Sequence, residues 1–238
     1  VAGFIEPGVT TLELDKIIDD FIRAHDAVPG FLNYQGYPNS ACISVNDVVV
    51  HGIPSEYRLK EGDIVSIDIG VVKNGYNGDS CYTFAVGEVA DDVKRLMRVT
   101  RESLYKGIEA AIHGNRVGDI GYAVQMHAES NGYSVVRELV GHGVGKSLHE
   151  SPEVPNYGRR GRGPKLKENM CIAIEPMINM GERYIRQESD GWTIRTTDQK
   201  PSAHFEHSIA IRKGEADILS DFNIIDEAVE KQKLNKTK

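Results

Sequence analysis

Apolar positions recur at helical spacing soon after the start of the chain, where Leu14, Ile17, Ile18, Phe21 and Ile22 follow Thr10-Thr11-Leu12-Glu13. That tetrapeptide is a capping-box pattern, with Thr10 as N-cap and Glu13 three residues in, and Pro29-Gly30 stops the run. The same periodicity predicts a second helix over roughly Asp91 to Ile112, with Val93, Leu96, Met97, Leu104 and Ile108 inward and Gly114 past its end. A third is predicted over 117–130, closed by Asn131-Gly132. Strand-like stretches fall at 41–50, 63–72, 76–86, 170–177 and 204–211. Helices interleaved with mostly antiparallel hairpins indicate an α+β fold. No low-complexity linker divides the chain, so 1–238 reads as a single domain, and the Lys-rich stretch 231–238 reads as a frayed tail.

Composition narrows the function classes. With 238 residues, 40% hydrophobic and 26% charged, the chain can bury a sizeable core. No apolar run approaches the ~20 residues that span a bilayer, and the segment from Val1 lacks the pattern of a secretory signal. Cys42, Cys81 and Cys171 are odd in number and far apart, which argues against a disulfide framework and for a reducing, cytoplasmic setting. None lies in a C-x-x-C pair. A net charge of −7 disfavours a dedicated nucleic-acid binder.

The informative residues are acids inside apolar runs. Asp63-Ile64-Val65-Ser66-Ile67-Asp68 echoes Met170-Cys171-Ile172-Ala173-Ile174-Glu175, each an apolar strand ending in a carboxylate. Each is followed by a second acid opening a later strand, Asp79 and Glu206 respectively. A buried carboxylate is costly unless paired or bound to metal. Asn74-Gly75 favours a two-residue type I′ turn. That turn sets Lys73 against Tyr76 and Asp68 against Cys81, with Asp79 two positions from Cys81 on the same face. The two acids then become diagonal neighbours with backbones ~7–8 Å apart, close enough to converge on metals ~3.5–4 Å apart. A one-residue slip would part them. Taken singly, Asp68 reads more readily as a strand-end acid and Asp79, after Gly78, as a turn residue. His142, between Gly141 and Gly143, is either a metal ligand or a loop histidine. Four carboxylates and one imidazole form an oxygen-rich set that suits Mn²⁺, Fe²⁺ or Co²⁺, with Zn²⁺ also open.

At these residues the sequence resembles the type I methionine aminopeptidases of the pita-bread metallopeptidase family. The resemblance runs from Pro7-Gly8-Val9 to Ile211. It rests on Asn46-Asp47-Val48-Val49-Val50-His51-Gly52-Ile53-Pro54, Ile67-Asp68 with Asp79 eleven residues later, Gly141-His142-Gly143, Ile174-Glu175-Pro176 and Phe205-Glu206-His207. It implies two pseudo-symmetric halves, about 1–115 and 116–238, with a curved, mainly antiparallel sheet covered by helices. It also implies two divalent ions on Asp68, Asp79, His142, Glu175 and Glu206, activating a shared water. His51 would contact substrate near the scissile amide, His149 would stabilise the tetrahedral intermediate, and Glu175 would be ligand and proton shuttle. Tyr34, Tyr37, Cys42 and Trp192, with Phe31 beside them, would line a methionine pocket suited to a thioether. His25, His113, His127, His204 and His207 receive no role.

The implied reaction is removal of the N-terminal methionine from nascent polypeptides, with a small second residue and the substrate's α-amine anchored on a metal. A monomer is expected. The basic run Gly158–Lys165 reads as a solvated loop or as a transient contact with ribosomal RNA. Too few residues separate Glu150 from Glu206 for the large insertion of type II enzymes. Family members carry a longer segment ahead of Glu6-Pro7, so a trimmed start or a gap near Gly3-Phe4 is expected. The rival readings are a proline-specific peptidase of the same fold and a binding module without catalysis.

Overall fold

The computed structural model describes residues 1–236. The first helix, Thr11–Ala24, opens on the expected capping box: Glu13 N donates to Thr10 Oγ1 at 3.0 Å and Thr10 N donates to Glu13 Oε2 at 2.7 Å. Its buried stripe is Thr11, Leu14, Asp15, Ile18 and Ile22. Phe21, expected inward, is 64% exposed and stacks on His25 at 4.1 Å. The stripe rotates toward Asp15 because that carboxylate accepts bonds from the Ser40 and Ala41 amides and from Asn39 Nδ2. The helix ends before Pro29-Gly30, and Val28–Pro29 instead forms a two-residue strand on Val71 and Val72.

Helix Asp91–Ala110 packs against helix Val117–Ser130, and both cover one face of the main sheet. Gly107 makes the close approach possible, since a Cβ there would lie 2.9 Å from Val124 Cγ2. The core between these layers includes Leu104, Ile108, Ile120, Ile172, Ile174 and Ile209. The expected frayed tail is corrected in part: helix Phe222–Lys236 runs through Lys231. It is tied down because Arg101 grips Asp226 with two bonds of 2.9 and 2.6 Å while Tyr82 Oη donates to Asp226 Oδ1 at 2.7 Å. Thr237 and Lys238 lie outside the described residues.

Among the described residues the main sheet has nine strands, all antiparallel where paired. Its central path runs from Ile64–Lys73 through Tyr76–Ala85, Glu206–Ala210 and Cys171–Ile174 to Gly141–Gly143. Cys42–Val45 also pairs with Ile64–Lys73. The hairpin register is the one the Asn74-Gly75 turn predicts, with Lys73 opposite Tyr76 and Asp68 opposite Cys81. Both turn residues have positive φ, +52° and +78°, as a type I′ turn requires.

Three expected strands are each broken in two, and at every break the chain changes sheet. Stretch 41–50 splits at Asn46, whose φ is +53°, and Val48–Val50 joins Ile194–Thr196 in a three-stranded sheet. Stretch 170–177 splits at Glu175-Pro176, where Pro176 lacks the N–H to continue a ladder. Met177–Asn179 then pairs with Ser202–His204 in another three-stranded sheet. Stretch 204–211 splits at Phe205, after which Glu206–Ala210 enters the main sheet.

Candidate metal centre

The antiparallel registers assemble the five candidate ligands on one face of the main sheet in two adjacent rows. Directly opposed residues share a face. Cys42 opposes Asp68, Asp68 opposes Cys81, and Cys81 opposes Glu206. The pairing of His207 with Ile174, carried one residue on, brings Glu175 beside Glu206 and completes the first row. In the second row Gly70 opposes Asp79, Ser208 exchanges bonds with the Asp79 backbone, and Ser208 opposes Ala173. Gly143 opposite Ile172 sets His142 next to Ala173. The residues between the ligands, Cys81, Ala173 and Ser208, and Gly70 at the end of the second row, are all small, which leaves room above the sheet.

Side-chain distances match this layout. His142 Nε2 lies 3.7 Å from Asp79 Oδ2 and 3.5 Å from Glu175 Oε1. One donor atom each from Asp79, His142 and Glu206 falls within 4.8 Å of the others. The Asp68 carboxyl lies beside those of Asp79 and Glu206. Asp68 Oδ1, Asp79 Oδ1 and Glu206 Oε1 are sealed from solvent with no hydrogen-bond partner. Burial pushes the Asp68 carboxyl up to about 7. Asp79, Glu175 and Glu206 are driven well above the usual carboxylate range, first by burial and then by the neighbouring carboxylates. Burial lowers His142 to about 4.

These residues fit a divalent cation on their own chemistry. His142 Nδ1 is 2.9 Å from the Gly143 carbonyl, which can only accept, so the proton sits on Nδ1. The Nε2 lone pair therefore faces a nest of carboxylates whose orphaned oxygens are also acceptors. A cluster of acceptors without a donor calls for positive charge.

A cavity of about 250 Å³ opens on this face and is lined by all five ligands. The other residues singled out from the sequence, Phe31, Tyr34, Tyr37, Cys42, His51, His149 and Trp192, line it too. Gly70 has no Cβ because one would stand 2.5 Å from the Phe31 ring. Tyr37 Oη donates to the Gly52 carbonyl at 2.9 Å, and its ring meets Trp192 edge-on at 5.2 Å. Tyr34 Oη and His149 Nδ1 are 2.7 Å apart, and the His149 ring lies 4.2 Å from that of His142. His51 holds a φ of +57°, its ring T-shaped to Trp192 at 6.2 Å. Burial and His149 together lower His51 to about 4, so its imidazole is neutral at pH 7. The Cys42 thiol is pushed up by burial and by Asp68.

Sequence reasoning missed several cavity residues: Gln35, Val50, Leu139, Val140, Leu148 and Met177. Nothing in an apolar residue's own context separates cavity wall from core, although Leu148 and Met177 flank candidate site residues. It also gave no role to His204, which lies behind the cavity with Nε2 at 3.9 Å from Glu175 Oε2.

The family model described as metallopeptidase family M24 matches residues 1–213. A methionine aminopeptidase 1 of Bacillus subtilis (strain 168) is 52% identical over 216 residues, covering 91% of this chain and 87% of that protein. The crystal structure of a methionine aminopeptidase from Rickettsia prowazekii superposes with a TM-score of 0.89 at 47% identity, over 90% of this chain and 87% of that one. A prolidase from Pyrococcus furiosus shares the fold alone, with a TM-score of 0.71 at 22% identity, over 92% of this chain and 57% of that one. A cavity walled by four carboxylates and an imidazole thus lies in a chain that belongs to metallopeptidase family M24, among its methionine aminopeptidases.

Proposed function

We propose that this chain hydrolyses the peptide bond after an N-terminal methionine, with two divalent ions held by Asp68, Asp79, His142, Glu175 and Glu206. The observation that carries this reading is the set of orphaned, buried carboxylate oxygens at the floor of an aromatic- and sulfur-lined cavity. The whole chain acts as one catalytic domain, its halves about 1–115 and 116–238 each lending acids. Divalent ions, when bound, acidify water and polarise a carbonyl. The donor set suits Mn²⁺, Fe²⁺ or Co²⁺, with Zn²⁺ also accommodated.

The protein's own groups do the rest. Phe31, Tyr34, Tyr37, Cys42 and Trp192 enclose the methionine side chain, for which sulfur–ring contacts contribute ~0.3–1.5 kcal/mol each. The carboxylate-rich floor attracts a free α-amine, so a chain terminus is selected over an internal bond. Glu175 takes a proton from the attacking water and returns it to the leaving amine, a role typically worth ~10²–10⁴-fold. His149, steadied by Tyr34, and the neutral His51 donate hydrogen bonds where charge develops on the tetrahedral centre. A small second residue completes the substrate.

The decisive assay is turnover of Met-Gly-Met after chelation and re-addition of single metals, beside x-Pro peptides. We expect loss on chelation, recovery with at least one ion and no x-Pro cleavage. Full activity in chelator, or a preference for x-Pro, would refute the reading.

No helix among the described residues is long and apolar enough to cross a membrane. A cytoplasmic monomer acting on nascent chains belongs to the same proposal. Transient ribosome contact through the exposed Arg159, Arg160, Arg162 and Lys165 completes it. Such contact weakens steeply with salt, and salt-independent cosedimentation with ribosomes would count against it.

A further inference from the structure

His204 closes strand Ser202–His204, one residue before the chain switches into the main sheet and two before Glu206. It is 2% exposed and does not line the cavity. Its backbone is fully engaged: His204 N donates to Thr83 Oγ1 at 3.0 Å, and Thr83 Oγ1 donates to the His204 carbonyl at 2.6 Å. The side chain is another matter. Nε2 is sealed from solvent and has no hydrogen-bond partner. Among the described residues the one acid within 4.0 Å of it is Glu175, 3.9 Å away at Oε2, while Glu175 Oε1 faces His142 Nε2 at 3.5 Å. Glu175 thus stands between two imidazoles, one on each oxygen.

A buried ring nitrogen left without a partner loses its bonds to water and gains nothing in return. An apolar side chain of similar size would fill this site without that cost, so packing does not explain a histidine here. Closing the gap by about 1 Å would complete a charge-assisted bond of ordinary length. We infer that His204 is a positioning residue for Glu175, donating from Nε2 to Oε2 and so fixing the rotamer in which Oε1 turns toward His142. His204 has no access to the cavity and acts through Glu175 alone. The inference rests on the proposed role of Glu175 as ligand and proton carrier.

The test compares His204→Gln, which keeps a donor at the reach of Nε2, with His204→Asn, which is polar but too short, and His204→Leu. Outer hydrogen-bond partners of metal ligands typically carry ~10–100-fold in affinity or activity. We expect kcat on Met-Gly-Met to fall about 10- to 100-fold in the Asn and Leu variants with KM within about twofold, and the Gln variant to recover to within about threefold of wild type. Cobalt(II) affinity of the apoprotein, read by calorimetry, should fall about 10-fold for His204→Leu in the wild-type background and under about twofold in Glu175→Gln. Equal losses in all three variants, an unchanged kcat, a loss confined to KM, or the same affinity loss in both backgrounds would overturn the inference. If His204→Leu does not fold, His204→Asn takes its place in both measurements. Should Glu175→Gln itself turn over normally, the reading of Glu175 fails. Should it be inactive while the His204 variants are not, only the present inference falls.

Discussion

Stripping metal from this protein should give it an unusual pH profile of stability. In the unfolded chain aspartate and glutamate titrate near 4. Folded and metal-free, burial lifts Asp68 to about 7 and Asp79, Glu175 and Glu206 well above their usual values. A raised carboxyl pKa contributes stability that is complete below the unfolded value and lost as pH rises through the folded one. The buried histidines have the opposite sign. His51, His142 and His207 are lowered to about 4 and His204 to about 3, each mainly by burial, so their contribution is lost as pH falls from 6.5 through those values. Between about pH 4 and 6.5 the four carboxyls and the four histidines act with opposite and nearly equal slopes, so stability of the chelated protein should stay roughly level there and fall above pH 6.5. Above that, each proton retained by the cluster but not by the unfolded chain removes about 1.4 kcal/mol per pH unit. At roughly 2–4 °C per kcal/mol for a chain of this size, Tm should fall by at least roughly 3–6 °C per pH unit. Asp68→Asn removes one buried acid. From the shift of Asp68 between 3.8 and about 7, the gain at pH 8 has an upper bound of roughly 4 kcal/mol. Calorimetric melts in chelator across pH 6 to 9, with and without manganese(II), measure all of this. A chelated Tm that is flat or rising above pH 6.5, or an Asp68→Asn variant less stable than chelated wild type at pH 8, would refute the reasoning.

Three other outcomes follow from local contacts around the site and the last helix. Tyr34→Phe removes the 2.7 Å bond to His149, and a loss of ~0.5–1.5 kcal/mol should lower kcat/KM about 2- to 12-fold with Tm unchanged. Gly52→Ala would bring a Cβ to within 2.3 Å of the Ile43 carbonyl oxygen, which is backbone and cannot yield, so the His51 segment must shift. Peptide turnover should drop by at least about 10-fold, a scale consistent with misplacing a positioned group. Asp226→Ala leaves Arg101 and the Tyr82 hydroxyl without their shared partner. With about a third of each charged side chain in solvent, we expect a loss of roughly 1 kcal/mol in melts at saturating metal and near-normal kcat.

What could be read beforehand was what local chemistry dictates. Asn74-Gly75 admits few conformations besides a type I′ turn, and that turn alone carried the hairpin register to Asp68 and Asp79. Thr10 and Glu13 announced a helix start because each satisfies the other's backbone. The breaks at Asn46, Glu175-Pro176 and Phe205 were hidden, since an apolar run looks the same whether it stays in one sheet or crosses into the next. Glu175 and Glu206 stand at two of those crossings, so their meeting was legible through a resemblance to known enzymes and not through spacing. His51, His149 and Trp192 were found the same way, each being one residue in a turn with no periodic signal. The helix Phe222–Lys236 was missed because much of what holds it, Arg101 and Tyr82, lies more than 100 positions away in sequence.

The two-row layout also explains why the centre needs small neighbours as much as it needs acids. Opposed residues on adjacent strands lie ~4.5–5.5 Å apart. Asp68 and Glu206 are each opposite Cys81, so the spacing between their strands is filled by one thiol-bearing side chain. Ala173 and Ser208 do the same for His142 and Asp79. A leucine at any of these positions would fill the space the carboxylate oxygens face and convert the floor into ordinary core. The sheet therefore forgoes packing at its centre and accepts buried acids in exchange for a cation site. The orphaned oxygens of Asp68, Asp79 and Glu206, the predicted decline of the metal-free protein above pH 6.5 and the proposed hydrolysis share that single cause.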